Sequence, residues 1–217
     1  MINPDQARTK MVETQLLPRG ISDPRVLRAM EKVPRHRFVE EAQADRAYDD
    51  AALPIGEQQT ISQPYIVAVM TQALALRETD RVLEVGTGSG YQTAVLAELV
   101  AWVYSIERIE SLARRARETL DQLGYLNVTI TVCDGTYGWS DHAPFDAILV
   151  AAGSPSIPPP LVEQLKEGGR LVIPVGDRTT QVLQLGAKAQ GKLVVSRLID
   201  CMFVPFIGTF AWRTDTC

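Results

Sequence analysis

The stretch Val82-Leu83-Glu84-Val85-Gly86-Thr87-Gly88-Ser89-Gly90 decides the fold, because it joins a short apolar run directly to a turn rich in glycine. The run begins at Arg81 and has the length and β-branched character of a strand in a parallel sheet. The apolar spacing of residues 91–100, after the turn, predicts a helix. A strand, a glycine turn and a helix in this order are typical of an open α/β sheet.

The same alternation continues along the chain. Further strands are predicted at residues 102–106, 128–132, 147–150 and 171–174, and helices at 110–123 and 160–166. Two last apolar segments, 181–185 and 192–198, flank a turn at 187–191 and predict an antiparallel hairpin. We therefore expect an α/β fold whose mostly parallel, doubly wound sheet has an antiparallel C-terminal edge.

The N-terminal part has a different pattern. Apolar and charged residues alternate at helical spacing up to about residue 50, and Ser22 or Asp23 with Pro24 marks the start of one helix. The polar stretch 53–60 predicts a loop. We expect one domain over residues 1–217, in which 1–75 form a helical cover with a functional loop and 76–217 form the ligand-binding sheet.

The composition narrows the class of protein. The chain has 217 residues, a net charge of −4, 46% hydrophobic and 22% charged residues. An acidic chain without a long apolar run or a signal-peptide pattern predicts a cytoplasmic monomer that binds neither nucleic acid nor membranes. Cys133, Cys201 and Cys217 are widely separated and only two histidines occur, which predicts neither disulfides nor a metal site.

The glycine spacing favours one class of nucleotide. Dinucleotide sites use G-x-G-x-x-G, in which the third glycine brings a helix N-terminus close to a pyrophosphate. Here Tyr91 occupies that third position and Gly90 comes one residue earlier. Gly86 and Gly88 allow main-chain atoms to approach a ligand without pyrophosphate, such as S-adenosyl-L-methionine. A tight turn without a ligand is the alternative.

Three acidic residues follow predicted strands or lie close to their ends. Glu84 is placed to face the sulfonium and amine of the ligand, or else to bond the glycine-turn backbone. Glu107 lies about twenty residues beyond the turn, where a carboxylate accepts bonds from ribose hydroxyls, unless it is a surface carboxylate. Asp134, followed by Gly135, is placed to accept from the adenine amino group, or else only forms a turn.

The segment Gln59-Thr60-Ile61-Ser62-Gln63-Pro64 carries hydroxyl groups beside a predicted helix start. Capping by Ser62 or Gln63, with Pro64 in the first turn, explains these residues without any function.

Together these motifs resemble one family, the protein-L-isoaspartate O-methyltransferases in their bacterial form. The resemblance extends from about Val12 to Phe206, and its segments lie at residues 33–35, 38–39, 53–56, 59–64, 82–93, 134–135, 143–148, 165 with 168–169, and 174–176. It implies a Rossmann-like class I methyltransferase fold. Cys133 departs from the family pattern, which more often has glycine there, and the segment after Phe206 matches poorly.

The resemblance implies roles for individual residues. It places the active-site role on Ser62 and brings Thr60, Ile61 and Ser62 close to the cofactor. With the candidates above, the expected cofactor-binding residues are Thr60, Ile61, Ser62, Glu84, Gly86, Thr87, Gly88, Gly90, Glu107, Arg108, Asp134 and Gly135. Val204-Pro205-Phe206 and Ile55-Gly56 are expected to wall a groove for an extended peptide, although Val204 and Phe206 also suit core packing.

The implied reaction is methyl transfer from S-adenosyl-L-methionine to the free carboxylate of an L-isoaspartyl or D-aspartyl residue in a damaged protein. The ester then closes to a succinimide, and hydrolysis returns some normal aspartate. A carboxylate of pKa about 4 is ionised at neutral pH, so the scarcity of histidine is no obstacle.

Three alternatives remain open. A related enzyme that modifies one specific peptide through an aspartimide would carry identical motifs. A nucleic-acid or small-molecule methyltransferase would share the glycine turn, but residues 151–155 lack the Asn/Asp-Pro-Pro-aromatic motif of amine methylation. A non-enzymatic cofactor-binding protein is the third.

Overall fold

The strand that precedes the glycine turn lies in the middle of a seven-stranded sheet in the computed structural model, which describes residues 3–213. The strand order is β5-β4-β3-β6-β7-β8-β9. The strands are β3 (Arg81–Val85), β4 (Trp102–Glu107), β5 (Val128–Val132), β6 (Phe145–Val150), β7 (Leu165–Gly176), β8 (Gln181–Ala189) and β9 (Lys192–Cys201). A separate two-stranded sheet contains β1 (Leu53–Pro54) and β2 (Thr60–Ile61).

The direction of the strands changes towards one edge. Strands β3 to β7 pair in parallel, whereas β8 and β9 pair antiparallel. The chain runs outward from β3 to β5 and then crosses back to β6 on the other side of β3. Such a change of order opens a crevice at the carboxyl ends of the strands. The prediction of a mostly parallel sheet with an antiparallel C-terminal edge is confirmed.

Both faces of the central strand are buried. Val82 belongs to the apolar cluster shared with the N-terminal helices, whereas Leu83 and Val85 belong to a second cluster on the opposite face. Successive side chains of a strand point to opposite faces, so Glu84 shares the face of Val82. A carboxyl group is thereby placed within the core.

The N-terminal residues form the predicted helical cover. Its helices are α1 (Pro4–Met11) and α2 (Pro24–Lys32), with a π turn at Val12–Leu16 and 3-10 turns at Leu17–Arg19, Arg35–Phe38 and Glu41–Arg46. Asp23 caps α2 by accepting a bond from the Arg25 N–H at 2.8 Å, and Pro24 occupies the first turn, as predicted.

The remaining helices connect the strands of the sheet. These are α3 (Pro64–Ala73), α4 (Tyr91–Ala97), α5 (Glu110–Gln122) and α6 (Pro159–Glu163), with 3-10 turns at Gly135–Tyr137 and Ser140–His142. Helices α4 and α6 end earlier than predicted. Leu165 already pairs with Phe145 of β6. A register shift before Arg170 allows β7 to begin upstream of Gly168 and Gly169, within the range predicted as helix.

Two turns also differ from the sequence prediction. The expected loop at residues 53–60 contains the short hairpin of β1 and β2. The C-terminal hairpin turns at Gln190 and Gly191 alone, whose φ values of 53° and 73° are those of a tight two-residue turn. The strands on either side are correspondingly longer.

None of the helices formed by residues 3–213 combines the length and apolar character needed to span a bilayer. The same residues hold no group of three or more His, Cys, Asp or Glu side chains placed to bind a metal ion. Cys133 and Cys201 are free thiols, and Cys217 lies outside the described residues.

Candidate active site

A cavity of about 880 Å³ opens at the carboxyl ends of β3 and β4. Three segments that are far apart in sequence wall it: the end of the β1–β2 hairpin with α3, the glycine turn, and the chain after β9. The lining residues are Gln59, Thr60, Ile61, Ser62, Val67, Met70, Val85, Gly86, Thr87, Gly88, Ser89, Tyr91, Gln92, Ile106, Glu107, Arg108, Gly135, Ala151, Ala152, Val204, Pro205, Phe206 and Ile207.

The β1–β2 hairpin carries Ser62 to the rim of this cavity. Thr60 and Ile61 pair with Pro54 and Leu53, which fixes the chain immediately before Ser62. Helix α3 begins two residues later with Gln63 at its N-cap, and no side chain caps it by a hydrogen bond. Gln63 and Pro64 thus occupy the positions that the capping explanation predicts, but the side-chain bond of a cap is absent. Ser62 is half-buried, and its hydroxyl makes no hydrogen bond to any residue within 3–213.

Some residues of the glycine turn line the cavity, and others face the core. Gly86 has φ +97°, lines the cavity and donates its N–H to the Ile106 carbonyl at 2.8 Å. Gly90 has φ +87° but lies outside the cavity wall, where an added Cβ would stand 3.2 Å from the Ala116 Cβ. Gly90 thus permits close packing of α4 against α5, and its contact with the cofactor stays a prediction.

Glu107 organises the base of the cavity. Its side chain is 6% exposed and lines the cavity, so it is not the surface carboxylate of the alternative interpretation. Oε2 accepts from the Gly88 N–H at 2.9 Å, and Oε1 accepts from the N–H groups of Arg108 and Ile109 at 2.9 and 3.0 Å. A carboxylate accepts about four bonds. Glu107 therefore retains acceptor capacity towards the cavity.

Glu84 makes its hydrogen bonds in the core and not to the glycine turn. It is absent from the cavity lining and accepts no bond from the glycine-turn backbone. Instead, its Oε2 accepts from the Thr93 and Ser105 hydroxyls at 2.5 and 2.6 Å. Burial raises the pKa of Glu84 to about 7, against the opposing effect of these two bonds and with a further rise from the charge of Glu107. Its place on the core face of β3 explains why it does not reach the cavity.

Asp134 is also turned away from the cavity, whereas Gly135 lines it. One carboxylate oxygen accepts from the N–H and hydroxyl of Thr136, and the other accepts from the Thr209 N–H at 2.9 Å. Burial raises the pKa of Asp134, but the bonds from Thr136 and Thr209 outweigh it and lower the pKa below its ordinary value. These bonds fix a turn and hold the C-terminal segment, and a contact of Asp134 with adenine stays a prediction.

The expected peptide walls are half correct. Val204, Pro205 and Phe206 line the cavity, and Phe206 also packs into the core with 5% exposure. Ile55 lies behind the glycine turn, where its carbonyl accepts from Arg115 at 2.6 Å, and it lines a separate cavity. The assignment of Ile55-Gly56 to the peptide groove stays a prediction.

Several lining residues were not anticipated from the sequence. Val67 and Met70 lie on α3 and line the cavity, although their apolar character is equally typical of core packing. Ala151 and Ala152 follow β6, and parallel strands bring their carboxyl ends to one edge of a sheet. This rule could have identified Ala151 and Ala152 from the sequence. The two α3 residues line the cavity because of how the helix docks, which the sequence pattern does not show.

The chemistry of the lining fits an adenosine-containing ligand with a charged methionine end. Apolar side chains of Ile61, Met70, Ile106 and Phe206 supply a surface for a purine ring and a methyl group. Glu107 supplies acceptors for hydroxyl donors, and the glycine turn presents main chain without Cβ atoms. The residues present therefore suit S-adenosyl-L-methionine.

Comparisons with known proteins agree with this chemistry. The model of the family described as protein-L-isoaspartate(D-aspartate) O-methyltransferase matches residues 6–210. The chain is 59% identical to the protein-L-isoaspartate O-methyltransferase of Syntrophus aciditrophicus over 94% of this chain and 95% of the relative. It is 56% identical to that of Trichlorobacter lovleyi over the full length of both.

Solved structures show the same similarity. A protein-L-isoaspartate O-methyltransferase superposes with a TM-score of 0.85 at 30% identity, covering 94% of this chain and 67% of that one. A Plasmodium falciparum structure described as a protein-L-isoaspartate O-methyltransferase, in complex with S-adenosyl-L-homocysteine, has a TM-score of 0.82 at 29% identity. It matches over 95% of this chain and 99% of its own.

Proposed function

The chain belongs to the protein-L-isoaspartate(D-aspartate) O-methyltransferase family, and from that premise we propose which of its residues carry the reaction. The enzyme transfers a methyl group from S-adenosyl-L-methionine to the free carboxylate of L-isoaspartyl residues in proteins. The assignment of roles below rests on the geometry of the cavity.

The cofactor occupies the cavity beside the glycine turn in this proposal. Glu107 accepts from its hydroxyl groups, and the other binding residues are Thr60, Ile61, Ser62, Gly86, Thr87, Gly88, Arg108 and Gly135. All of these line the cavity. Glu84, Gly90 and Asp134 support the wall from behind, because their contacts are with the core and the C-terminal segment.

Ser62 acts on the acceptor carboxylate. The observation that carries this role is its half-buried hydroxyl at the cavity rim, which has no hydrogen-bond partner within residues 3–213. Such a hydroxyl is free to donate to an incoming carboxylate and to orient one of its oxygens. Orientation of reactants is a large source of rate enhancement, because it removes the entropy cost of alignment.

The methyl transfer needs no general base. The bound cofactor supplies an electrophilic methyl group on a cationic sulfur. Ser62 would hold the substrate carboxylate towards that methyl group, and the carboxylate oxygen would be its acceptor. The apolar residues Ile61, Met70 and Phe206 exclude water from the reacting atoms. Water exclusion strengthens the electrostatic attraction between a carboxylate and a cation.

The test uses labelled S-adenosyl-L-methionine with matched peptides that contain isoaspartate or aspartate at one position. Base-labile methyl label on the isoaspartyl peptide alone is the expected result, and equal labelling of both peptides would contradict the assignment. Ser62→Ala should lower kcat more than it raises the Kd of S-adenosyl-L-homocysteine. Glu107→Ala should first weaken cofactor binding. Ser196→Ala, at an exposed serine of β9, is the matched control and should change neither.

A second candidate is modification of one dedicated peptide through an aspartimide, since the same motifs would serve it. We favour general repair, in which the ester closes to a succinimide, because the cavity rim formed by Val204-Pro205-Phe206 offers few side chains that distinguish sequences. A panel of isoaspartyl peptides with varied flanking residues separates the two. Comparable kcat/KM values across the panel support repair, and activity on a single sequence supports the dedicated enzyme.

We also propose that residues 1–217 work as one domain, because Ser62 from the N-terminal part and Gly86 from the sheet part wall the same cavity. A cytoplasmic monomer without nucleic-acid or membrane partners stays a prediction from the sequence. Size-exclusion chromatography with light scattering tests the monomer, and a dimeric mass would refute it.

A further inference from the structure

A carboxyl group with incomplete hydrogen bonding is sealed beneath the glycine turn. Glu84 is 0% exposed. Oε2 accepts two bonds, from Thr93 and Ser105, whereas Oε1 is buried without any partner within residues 3–213. Buried ionised carboxylates usually have both oxygens satisfied. The surroundings of Glu84 therefore do not fully support its ionised form.

Two hydroxyl groups connect this carboxyl to the cavity. The Ser105 hydroxyl donates to Glu84 and lies 2.6 Å from the Thr87 hydroxyl. Thr87 belongs to the glycine turn and lines the cavity. The chain from Glu84 through Ser105 to Thr87 is a continuous hydrogen-bonded path from the core to the cavity wall.

The groups around Glu84 determine how strongly a cation that binds nearby would change the protonation of its carboxyl. From β4, Glu107 is the charged group that acts on it, and it disfavours a second negative charge. On α4, the residue that contacts Glu84 is Thr93, which does not titrate. On β6, Leu149 pairs with Glu84 in register. No lysine or arginine within residues 3–213 hydrogen-bonds its carboxyl. Burial and the charge of Glu107 outweigh the bonds from Ser105 and Thr93 and raise the pKa of Glu84 to about 7.

We propose that Glu84 is a positioning residue whose protonation depends on the bound ligand: it is ionised when S-adenosyl-L-methionine is bound and takes up a proton from solvent when S-adenosyl-L-homocysteine replaces it. The two ligands differ by a methyl group and one positive charge on sulfur, and a nearby cation favours the ionised carboxyl. The proton leaves and returns through the Ser105 and Thr87 hydroxyls. The enzyme would thus prefer donor over product more strongly as pH rises.

This inference rests on the proposed placement of the cofactor in the cavity. Isothermal titration of each ligand from pH 6 to 8, in two buffers with different ionisation enthalpies, counts the protons released on binding. We expect more proton release with S-adenosyl-L-methionine than with S-adenosyl-L-homocysteine near pH 7. The ratio of their Kd values should change roughly 3- to 10-fold across this range, tenfold corresponding to one pKa unit between the two complexes.

Glu84→Gln removes the titrating group and keeps the shape of the side chain. It should abolish the ligand-dependent difference in proton release, and an undiminished difference in this variant would overturn the proposal, as would equal release with both ligands in the parent protein. Ser105→Ala keeps the carboxyl but removes a bond to its ionised form, so the midpoint of the linkage should move to higher pH. This shift tests the proposal even where Glu84→Gln folds poorly.

Asp80→Asn is the matched control. Asp80 is 4% exposed and bonds Arg170 at 2.7 Å at the opposite end of β3, so its loss should leave the linkage unchanged. Glu107→Ala separates an error in the placement of the cofactor from an error in the role of Glu84. If it leaves both Kd values unchanged, the placement of the cofactor is wrong. If it weakens binding while Glu84→Gln retains full linkage, only the role of Glu84 is wrong.

Discussion

Replacement of Glu107 by glutamine should affect the protein even without a ligand. The carboxylate accepts three main-chain N–H groups, two on Oε1 and one on Oε2. An amide has one oxygen, so Glu107→Gln must turn its NH₂ group either towards the Gly88 N–H or towards those of Arg108 and Ile109. In the less damaging arrangement one bond to a charged acceptor is lost, worth roughly 1.5–3 kcal/mol.

This loss should appear in two measurements. Thermal unfolding of the ligand-free protein should occur roughly 4–8 °C lower, since about 1 kcal/mol shifts Tm by 2–4 °C in a chain of this size. The Kd of S-adenosyl-L-homocysteine should rise at least about tenfold, equivalent to roughly 1.4 kcal/mol, because the glycine turn loses its anchor and the ligand loses a charged acceptor.

The matched control is Glu118→Gln, at an exposed position of α5. It removes the same charge without touching the turn, and neither Tm nor Kd should change. Unchanged unfolding of Glu107→Gln would refute the view that this carboxylate organises the turn. A lower Tm with unchanged Kd would instead place the ligand hydroxyls elsewhere.

Three further changes should have measurable effects. In Gly135→Ala the new Cβ would clash with a methyl carbon of Val85, so urea denaturation should show a loss of roughly 1–3 kcal/mol, and unchanged stability would contradict this packing. Asp134→Ala releases the Thr209 N–H, so protease cleavage of the C-terminal segment should accelerate and the KM for peptide should rise, with equal cleavage rates counting against the anchor. The folded-state pKa of Glu84 is raised from 4.5 to about 7. The ligand-free protein should therefore lose roughly 3 kcal/mol of stability as pH rises between these two values. Melting curves recorded at several pH values should show this loss in the parent protein and not in Glu84→Gln.

The sequence was informative where function depends on local spacing. Gly86, Gly88 and Glu107 were found because a glycine turn and the end of the next parallel strand meet at one edge of the sheet. Ser62 was found through resemblance alone, since spacing explained the segment as a helix start, with Gln63 at the N-cap and Pro64 in the first turn. Its exposure to the cavity depends on the pairing of Thr60 and Ile61 with residues that precede them in the hairpin.

Other contacts depend on residues that no local pattern connects. Asp134 accepts from Thr209, which is distant in the chain, and no local pattern predicts this contact. Glu84 meets Ser105 because those two residues are paired in register between β3 and β4. The length of β7 depends on a register shift against β6. Such features follow from how elements dock, which periodicity does not encode.

The small β1–β2 sheet stands apart from the seven-stranded sheet, although both contribute to one cavity. The hairpin carries Ser62, the proposed contact of the acceptor carboxylate, together with Thr60 and Ile61, which are proposed to bind the donor. An exchange of residues 53–63 designed to change the acceptor therefore acts on both ligands at once, and its success has to be judged by cofactor affinity as well as by turnover.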